Sequence, residues 1–150
     1  MLSQTTKYAL QTLAAMVDTP DEWHEVKRLS EELSIPANYL SKVLGQLAKI
    51  GILESRKGWG GGFRFRRRPS EVSLDEVVRF LEGPEHARTC IFGLPVCSDE
   101  NPCPLHHEWK KAREIYERLL AESTVADLAL PPDRAQKPKA SGVKKVRKAT

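Results

Sequence analysis

The feature that most constrains the fold is a run of four glycines within residues 58–62 (GWGGG). Glycine adopts positive φ angles at little steric cost, so such a run favours a tight chain reversal whose backbone can approach another surface closely. Residues 52–55 (ILES) can form a short strand before it, and residues 63–66 (FRFR) alternate as a second strand after it. The segment therefore predicts a two-stranded β-hairpin. A nucleotide-binding loop would need a GK[ST] ending or a GxGxxG spacing, and neither is present.

Three helices are predicted before this hairpin. Apolar residues recur at helical spacing over residues 8–17 and again over residues 26–33. Pro36 suits the first turn of a third helix, which ends at Gly51. The apolar positions of that helix are Leu40, Val43, Leu44, Leu47 and Ile50. The second and third helices, joined by a short break at residues 34–35, form a helix-turn-helix pattern. Together with the hairpin they predict a mainly α-helical, winged helix-turn-helix fold.

Two further helices are predicted in the second half of the chain. Ser73 and Glu76 have the spacing of a capping box at the start of a helix over residues 74–81, and Gly83 ends it. A long helix follows over about residues 105–123. Its apolar stripe consists of Trp109, Ala112, Ile115, Tyr116, Leu119 and Leu120. Because a small domain has little room to bury such a stripe, the long helix is predicted to pair across a two-fold axis in a homodimer.

The three cysteines of the chain all lie in one segment with the pattern C-x6-C-x5-C-x2-H. The four residues of this pattern are Cys90, Cys97, Cys103 and His106. A glycine and three prolines in the same segment exclude a regular helix or a central strand, so the segment is predicted to be a loop that can wrap around a ligand. Thiolates and imidazole are ligands of iron–sulfur clusters and of zinc. On these residues alone an iron–sulfur cluster, a structural Cys3His zinc site and a reactive thiol site all stay open.

Charge and cysteine usage limit the possible partners and compartments. The six basic residues within 56–68 have no acid between them, and residues 131–150 carry seven Lys or Arg against one acid, Asp133. The basic hairpin beside a helix-turn-helix predicts double-stranded DNA as the partner, and the tail is predicted to be disordered. No apolar stretch approaches the roughly 20 residues of a membrane span. The N-terminal residues also lack the pattern of a secretory signal peptide, so a cytoplasmic protein is predicted. In that reducing compartment clustered cysteines are more often metal-binding, catalytic or redox-sensing than disulfide-bonded, and three cysteines cannot all pair within one chain.

The chain resembles the Rrf-two group of bacterial winged-helix transcription factors over about residues 1–130. The resemblance rests on Lys7-Tyr8-Ala9-Leu10, Asn38-Tyr39-Leu40-Ser41-Lys42, Gly58-Trp59-Gly60-Gly61-Gly62-Phe63, Val72-Ser73-Leu74-Asp75-Glu76-Val77-Val78, the three cysteines and Thr124-Val125-Ala126-Asp127-Leu128. It implies a dimeric, sequence-specific regulator controlled by an iron–sulfur cluster that senses iron–sulfur, redox or nitric oxide status. A redox enzyme or electron carrier is the alternative, but the sequence shows no nucleophile–base arrangement, nucleotide motif or second cluster.

The same resemblance implies which residues bind the cluster. In members similar to the iron–sulfur cluster regulator, three cysteines and a following histidine hold a 2Fe–2S cluster, and His106 stands at the matching position. In members of the nitric-oxide-sensing type, an acidic residue of the partner's first helix completes a 4Fe–4S cluster. The matching residue here is Lys7, a cation that cannot serve. The resemblance therefore favours a 2Fe–2S cluster, with 4Fe–4S and zinc as alternatives and His107 as a competitor of His106.

Several residues are predicted to contact DNA. They are Asn38, Ser41, Lys42 and Gln46 on the third helix, and Lys57, Arg64 and Arg66 on the hairpin. Asparagine and glutamine can pair with adenine and lysine with guanine, whereas the hairpin cations are expected to contact phosphates. For Trp59 the sequence leaves open whether its indole packs on the domain as a hydrophobic tip.

Four regions are predicted along the chain. They are the DNA-binding domain with its following helix (residues 1–83), the cysteine loop (84–104), the dimerisation helix with a C-terminal packing segment (105–130) and the basic tail (131–150).

Overall fold

The computed structural model describes residues 2–130, so the predicted disordered tail lies outside the described residues. The chain forms α1 (Gln4–Met16), α2 (Val26–Leu33), α3 (Ala37–Lys49), β1 (Leu53–Arg56), β2 (Gly62–Phe65), α4 (Leu74–Glu82) and α5 (His106–Glu122). Short 3₁₀ turns span Pro69–Glu71, His86–Arg88 and Val125–Leu128. This order confirms the predicted mainly α-helical fold with a two-stranded wing. Within residues 2–130 no helix is both long and apolar enough to cross a membrane.

One hydrophobic core joins the helices to the hairpin. The predicted inward positions of α3 are buried apart from Ile50, which is only partly covered because it follows the last helical turn. Around them pack buried residues of the other elements, among them Leu13, Met16, Leu29, Ile35, Ile52, Leu53, Phe63, Phe65, Val77 and Val78. Since α3 and both strands contribute to the same core, α3, the recognition helix of the helix-turn-helix pattern, and the wing are held in one rigid unit.

The turn between α2 and α3 depends on one left-handed residue. Ser34 has a φ of 56° and its N–H donates to the carbonyl oxygen of Ser30, which caps α2. The Ser30 hydroxyl donates to the Ile35 carbonyl at 2.6 Å, while the Ile35 side chain is buried in the core. Pro36 is the residue just before the first helical turn, not inside it as predicted, and α3 starts at Ala37.

The hairpin is antiparallel and is anchored to the loop between α1 and α2. Leu53 lies opposite Phe65, and both strands are shifted by one residue from their predicted bounds. His24 and Phe63 exchange two backbone hydrogen bonds of 2.8 and 2.9 Å, so the loop residue acts as a short third strand. Gly62 has a φ of 137°, and a Cβ there would overlap the His24 carbonyl oxygen. A glycine is therefore required where the wing meets this loop.

The predicted capping box of α4 is only half formed. The Ser73 hydroxyl accepts from the N–H of Glu76 at 3.1 Å, as predicted. The Glu76 carboxylate, however, pairs with Arg67 and so does not reach back to the cap residue. A reciprocal box occurs instead at Thr124 and Asp127, where the chain returns from α5 to pack beside α1.

The apolar stripe of α5 is divided between two environments. Leu120 is buried and Tyr116 is half-buried in the core, where α5 packs against α4. Ile115 and Leu119 remain 63% and 58% exposed. The expectation that the domain could not bury the stripe was therefore wrong for Leu120 and Tyr116, because α4 supplies a covering surface. The exposed residues remain available to a partner.

Candidate nucleic-acid interface and metal centre

The outer face of α3 presents every residue predicted to contact bases. Asn38, Ser41, Lys42 and Gln46 are all exposed and lie opposite the buried leucine face. The helix itself contains no acidic residue, so its own side chains place no negative charge on this face. Tyr39 was not predicted to have a separate role. It fixes the start of the helix, because its hydroxyl hydrogen-bonds Thr5 of α1.

The basic residues of the wing fall into two groups. Lys57 and Arg66 are exposed. Arg64 is half-buried, its Nε donates to the Glu54 carboxylate at 2.7 Å, and its guanidinium lies 4.4 Å from the ring centre of Trp23. The Arg64 charge is thus already paired, whereas Lys57 and Arg66 form no ion pair within residues 2–130. This cross-strand pair follows from the hairpin register, in which residue 54 lies opposite residue 64.

Trp59 stands at the tip of the wing and is fully exposed. The possibility that it packs on the domain as a hydrophobic tip is therefore wrong. The turn around it is closed by a hydrogen bond from the Gly61 N–H to the Gly58 carbonyl at 3.0 Å. Positive φ angles at Gly58 and Gly60 let the chain reverse directly on both sides of the indole.

The cysteine loop brings two of its four predicted ligands into direct contact. The Cys97 sulfur lies 3.4 Å from Nδ1 of His106. Cys90 and Cys103 are buried, and all three cysteines are free. Within the described residues 2–130, no three His, Cys, Asp or Glu side chains converge as they would around a single metal ion.

The Cys90 sulfur lies in an environment that stabilises a thiolate. Burial raises the pKa of this thiol, but hydrogen bonds from the backbone N–H groups of Leu94, Phe92 and Gly93 and from Cys103 outweigh burial and lower it below its ordinary value. Backbone donors aimed at a sulfur are also the interactions that tune a bound iron–sulfur cluster.

Cys103 has the opposite tendency from Cys90. Burial raises the pKa of the Cys103 thiol, and the neighbouring Cys90 and Cys97 raise it further. The Cys90 thiol therefore loses its proton more readily than the Cys103 thiol.

His106 is oriented by an acidic residue that the sequence analysis did not single out. The imidazole is only 2% exposed, and its Nε2 lies 2.9 Å from the Asp99 carboxylate. His106 and Lys110 together lower the pKa of Asp99 to about 2, so this carboxylate is ionised at neutral pH and can only accept. The proton of a neutral His106 must then sit on Nε2, which leaves the lone pair of Nδ1 facing Cys97. His107 is exposed.

A cavity of about 490 Å³ lies between the cysteine loop and α5. Its lining includes Cys90, Ile91, Trp109 and Tyr116. The indole N–H of Trp109 donates to the Thr89 carbonyl at 2.9 Å, so the first turn of α5 is bonded directly to the start of the loop. The loop is therefore joined to α5 at both of its ends. Its last residue runs directly into the helix at His106, and Thr89 near its start is hydrogen-bonded to Trp109.

These features define a class of protein: a DNA-binding transcription regulator of the winged-helix type. Residues 2–131 match the Rrf2 family, described as iron-dependent transcriptional regulator, and the chain belongs to this family. It is a regulator, not an enzyme.

Relatives with assigned names are similar along most of their length. The HTH-type transcriptional regulator NsrR of Bacillus subtilis is 31% identical over 129 residues, covering 85% of this chain and 88% of that protein. The HTH-type transcriptional repressor NsrR of Streptomyces coelicolor is 30% identical, covering 87% and 89%.

Solved structures share the fold. CymR, the global cysteine regulator of B. subtilis, superposes with a TM-score of 0.71 at 22% identity, covering 86% of this chain and 95% of that one. IscR of T. potens gives a TM-score of 0.66 at 22% identity, covering 85% of each chain.

Replacing Asp99 by alanine tests the orientation of His106. We expect His106 in the reduced, metal-free protein to hold its proton on Nε2, and Asp99→Ala to abolish this preference because the carboxylate that accepts at Nε2 is lost. Nitrogen-15 NMR of the imidazole distinguishes the two tautomers. Glu100→Ala, which removes the exposed neighbouring acid, is the matched control and should leave the tautomer unchanged. If Asp99→Ala and Glu100→Ala both keep the tautomer of the wild type, Asp99 does not orient the ring.

Proposed function

We propose that this chain is a dimeric, sequence-specific DNA-binding regulator whose affinity for DNA is set by an iron–sulfur cluster. The observation that carries the proposal is the contact between Cys97 and the buried, oriented imidazole of His106, in the loop that also buries Cys90 and Cys103. A histidine held with its lone pair toward a thiol is arranged as a ligand, because metal-binding histidines donate their other N–H to a carboxylate or carbonyl.

The spacing of the ligands supports a 2Fe–2S cluster over zinc. Structural zinc sites usually contain close cysteine pairs such as C-x2-C, and the segment from Cys90 to His106 has none. His106 also stands where the resemblance implies the histidine ligand of a 2Fe–2S cluster. We propose Cys90, Cys97, Cys103 and His106 as these ligands, with His106 preferred to the exposed His107. Such a cluster would supply a centre that can be oxidised, reduced or lost, and the neutral imidazole would make it less negative than four thiolates would.

DNA recognition is proposed to divide between α3 and the wing. Asn38, Ser41 and Lys42, near the start of α3, would contact base edges in the major groove, with Gln46 one turn further along. Lys57 and Arg66 would contact phosphates. Arg64, also predicted as a contact, already neutralises Glu54, so its proposed contribution is mainly to hold the wing in position.

Dimerisation is proposed to use the exposed apolar residues of α5, Ile115 and Leu119. A two-fold pair of winged domains would place its recognition helices about one turn of DNA (~34 Å) apart, so the operator would be a pseudo-palindrome. The cysteine loop lies in sequence directly before α5. A cluster that binds one arrangement of this loop more tightly than another would shift the equilibrium between the two arrangements, by as much as its affinities for them differ. The spacing of the two recognition helices would change with that equilibrium.

Substitutions on α3 and the wing should affect DNA binding in different ways. Lys57→Ala should weaken binding to all duplexes and reduce the slope of log affinity against log salt by about one, because one phosphate contact is lost. Asn38→Ala should leave that slope unchanged and relax the sequence preference. Lys111→Ala, an exposed lysine of α5 outside both DNA-contacting elements, is the control. Fluorescence anisotropy over a salt series measures these effects, and no DNA affinity of the wild type at low salt would refute the proposal.

Substitutions in the cysteine loop test the ligand set separately. Cys97→Ala should abolish cluster assembly, whereas His106→Ala should leave a weakened cluster because three thiolates remain. His107→Ala is the matched control and should retain the wild-type cluster. Iron and acid-labile sulfide per chain in anaerobically purified protein measure the outcome. One tightly held zinc with no iron or sulfide, or a larger loss in His107→Ala than in His106→Ala, would contradict this ligand set.

A further inference from the structure

We propose that Trp59 is itself a DNA-contacting residue, whose indole enters the minor groove beside the major-groove site of α3. The inference rests on the proposed DNA-binding function and adds to it an apolar contact made by the wing tip. It assigns a specific partner surface, the sugar walls and base edges of the minor groove, to a side chain that packs on nothing within the described part of the chain.

The exposure of Trp59 differs from that of the other two tryptophans. Trp23 is covered by the guanidinium groups of Arg56 and Arg64, and Trp109 is bonded to the cysteine loop. Trp59 is fully exposed at the far end of the hairpin. An indole is the largest apolar surface a side chain can offer, and contact with a partner removes that surface from water.

The tip that carries Trp59 is a closed turn with a defined shape. The Gly61 N–H bonds the Gly58 carbonyl, and the Arg56 guanidinium donates to the Gly60 carbonyl at 2.7 Å. A Cβ at residue 61 would overlap the backbone of Arg56, so the turn has no room for a side chain there. The glycines on both sides of Trp59 leave the indole as the sole side chain at the apex of the turn.

The strands next to the tip are held against the loop between α1 and α2. The guanidinium groups of Arg56 and Arg64 lie 4.3 and 4.4 Å from the ring centre of Trp23, and the neighbouring His24 is bonded to Phe63. Because the hairpin is held against this loop next to its tip, the indole is presented in one region of space. A pre-positioned side chain loses less conformational entropy on binding than one on a loose loop.

The charge around Trp59 identifies a polyanion as the partner. Residues 55–70 contain basic side chains and no acid, and Lys57 lies two residues from the indole. The exposed face of α3 belongs to the same rigid unit. With α3 in the major groove, the adjacent minor groove is the surface left for the wing tip. This groove is only about 6 Å wide, and a flat ring on a narrow turn can enter it. Apolar side chains inserted there unstack or flank base steps in other DNA-binding proteins.

The test uses the full-length protein and duplexes that the wild type selects from a random pool. Trp59→Ala should lower affinity about tenfold without changing the salt slope, since the lost contact is apolar. Trp59→Phe should keep most of the affinity, because an aromatic ring remains. Lys57→Ala is the matched control at the same tip, and there the salt slope should fall. Since Trp59 packs on nothing described, its replacement should not affect folding, which circular dichroism verifies.

A second measurement locates the indole. In protein labelled with 5-fluorotryptophan, the resonance missing from Trp59→Phe belongs to Trp59 and should shift on addition of duplex. Netropsin, a minor-groove ligand, should reverse that shift. An unshifted resonance together with equal affinities of wild type and Trp59→Ala would overturn this inference and leave the proposed function intact. A wild type that selects no duplex at low salt would instead refute the proposed function.

Discussion

The buried imidazole of His106 joins the cysteine loop to α5. His106 is the first residue of α5, and its two ring nitrogens contact Cys97 on one side and Asp99 on the other. Lys110, one turn further along α5, also bonds Asp99. These contacts therefore link the position of the cysteine loop to the first turn of α5. A ligand that changes the contacts of His106 would also act on that first turn.

The DNA-binding unit is rigid for a different reason. The recognition helix α3, both wing strands and α1 bury their apolar residues in the same core. The wing is also fixed to the α1–α2 loop by the backbone bonds between His24 and Phe63 and by the stacking on Trp23. A close-packed unit of this kind does not deform gradually. In the proposed dimer, regulation would therefore alter the arrangement of two such units through α5 and its exposed Ile115 and Leu119.

Local signals in the sequence predict the elements of the fold well. The leucine spacing of α3, the cap at Ser73 and the glycines of the wing each determine structure within a few residues of themselves, and the helices lie near their predicted bounds. The fate of the α5 stripe could not be predicted, because helical periodicity does not tell which partner covers Leu120 and which leaves Leu119 exposed. The same limit applies to Arg64, whose partner Glu54 depends on strand register. Asp99 contacts His106 only because the loop folds back on α5. An acidic residue two positions after Cys97 could nevertheless have suggested a partner for the histidine.

The central claim is that the state of the cluster sets the affinity for DNA. The most direct test measures the affinity of one anaerobic preparation for one selected duplex, before and after chemical removal of the cluster, at constant salt. The account predicts a change of at least about fivefold, the lower end of typical coupling between two sites, and the same removal in His106→Ala should produce a smaller change. Equal affinities with and without the cluster, in protein that holds iron and sulfide, would contradict it.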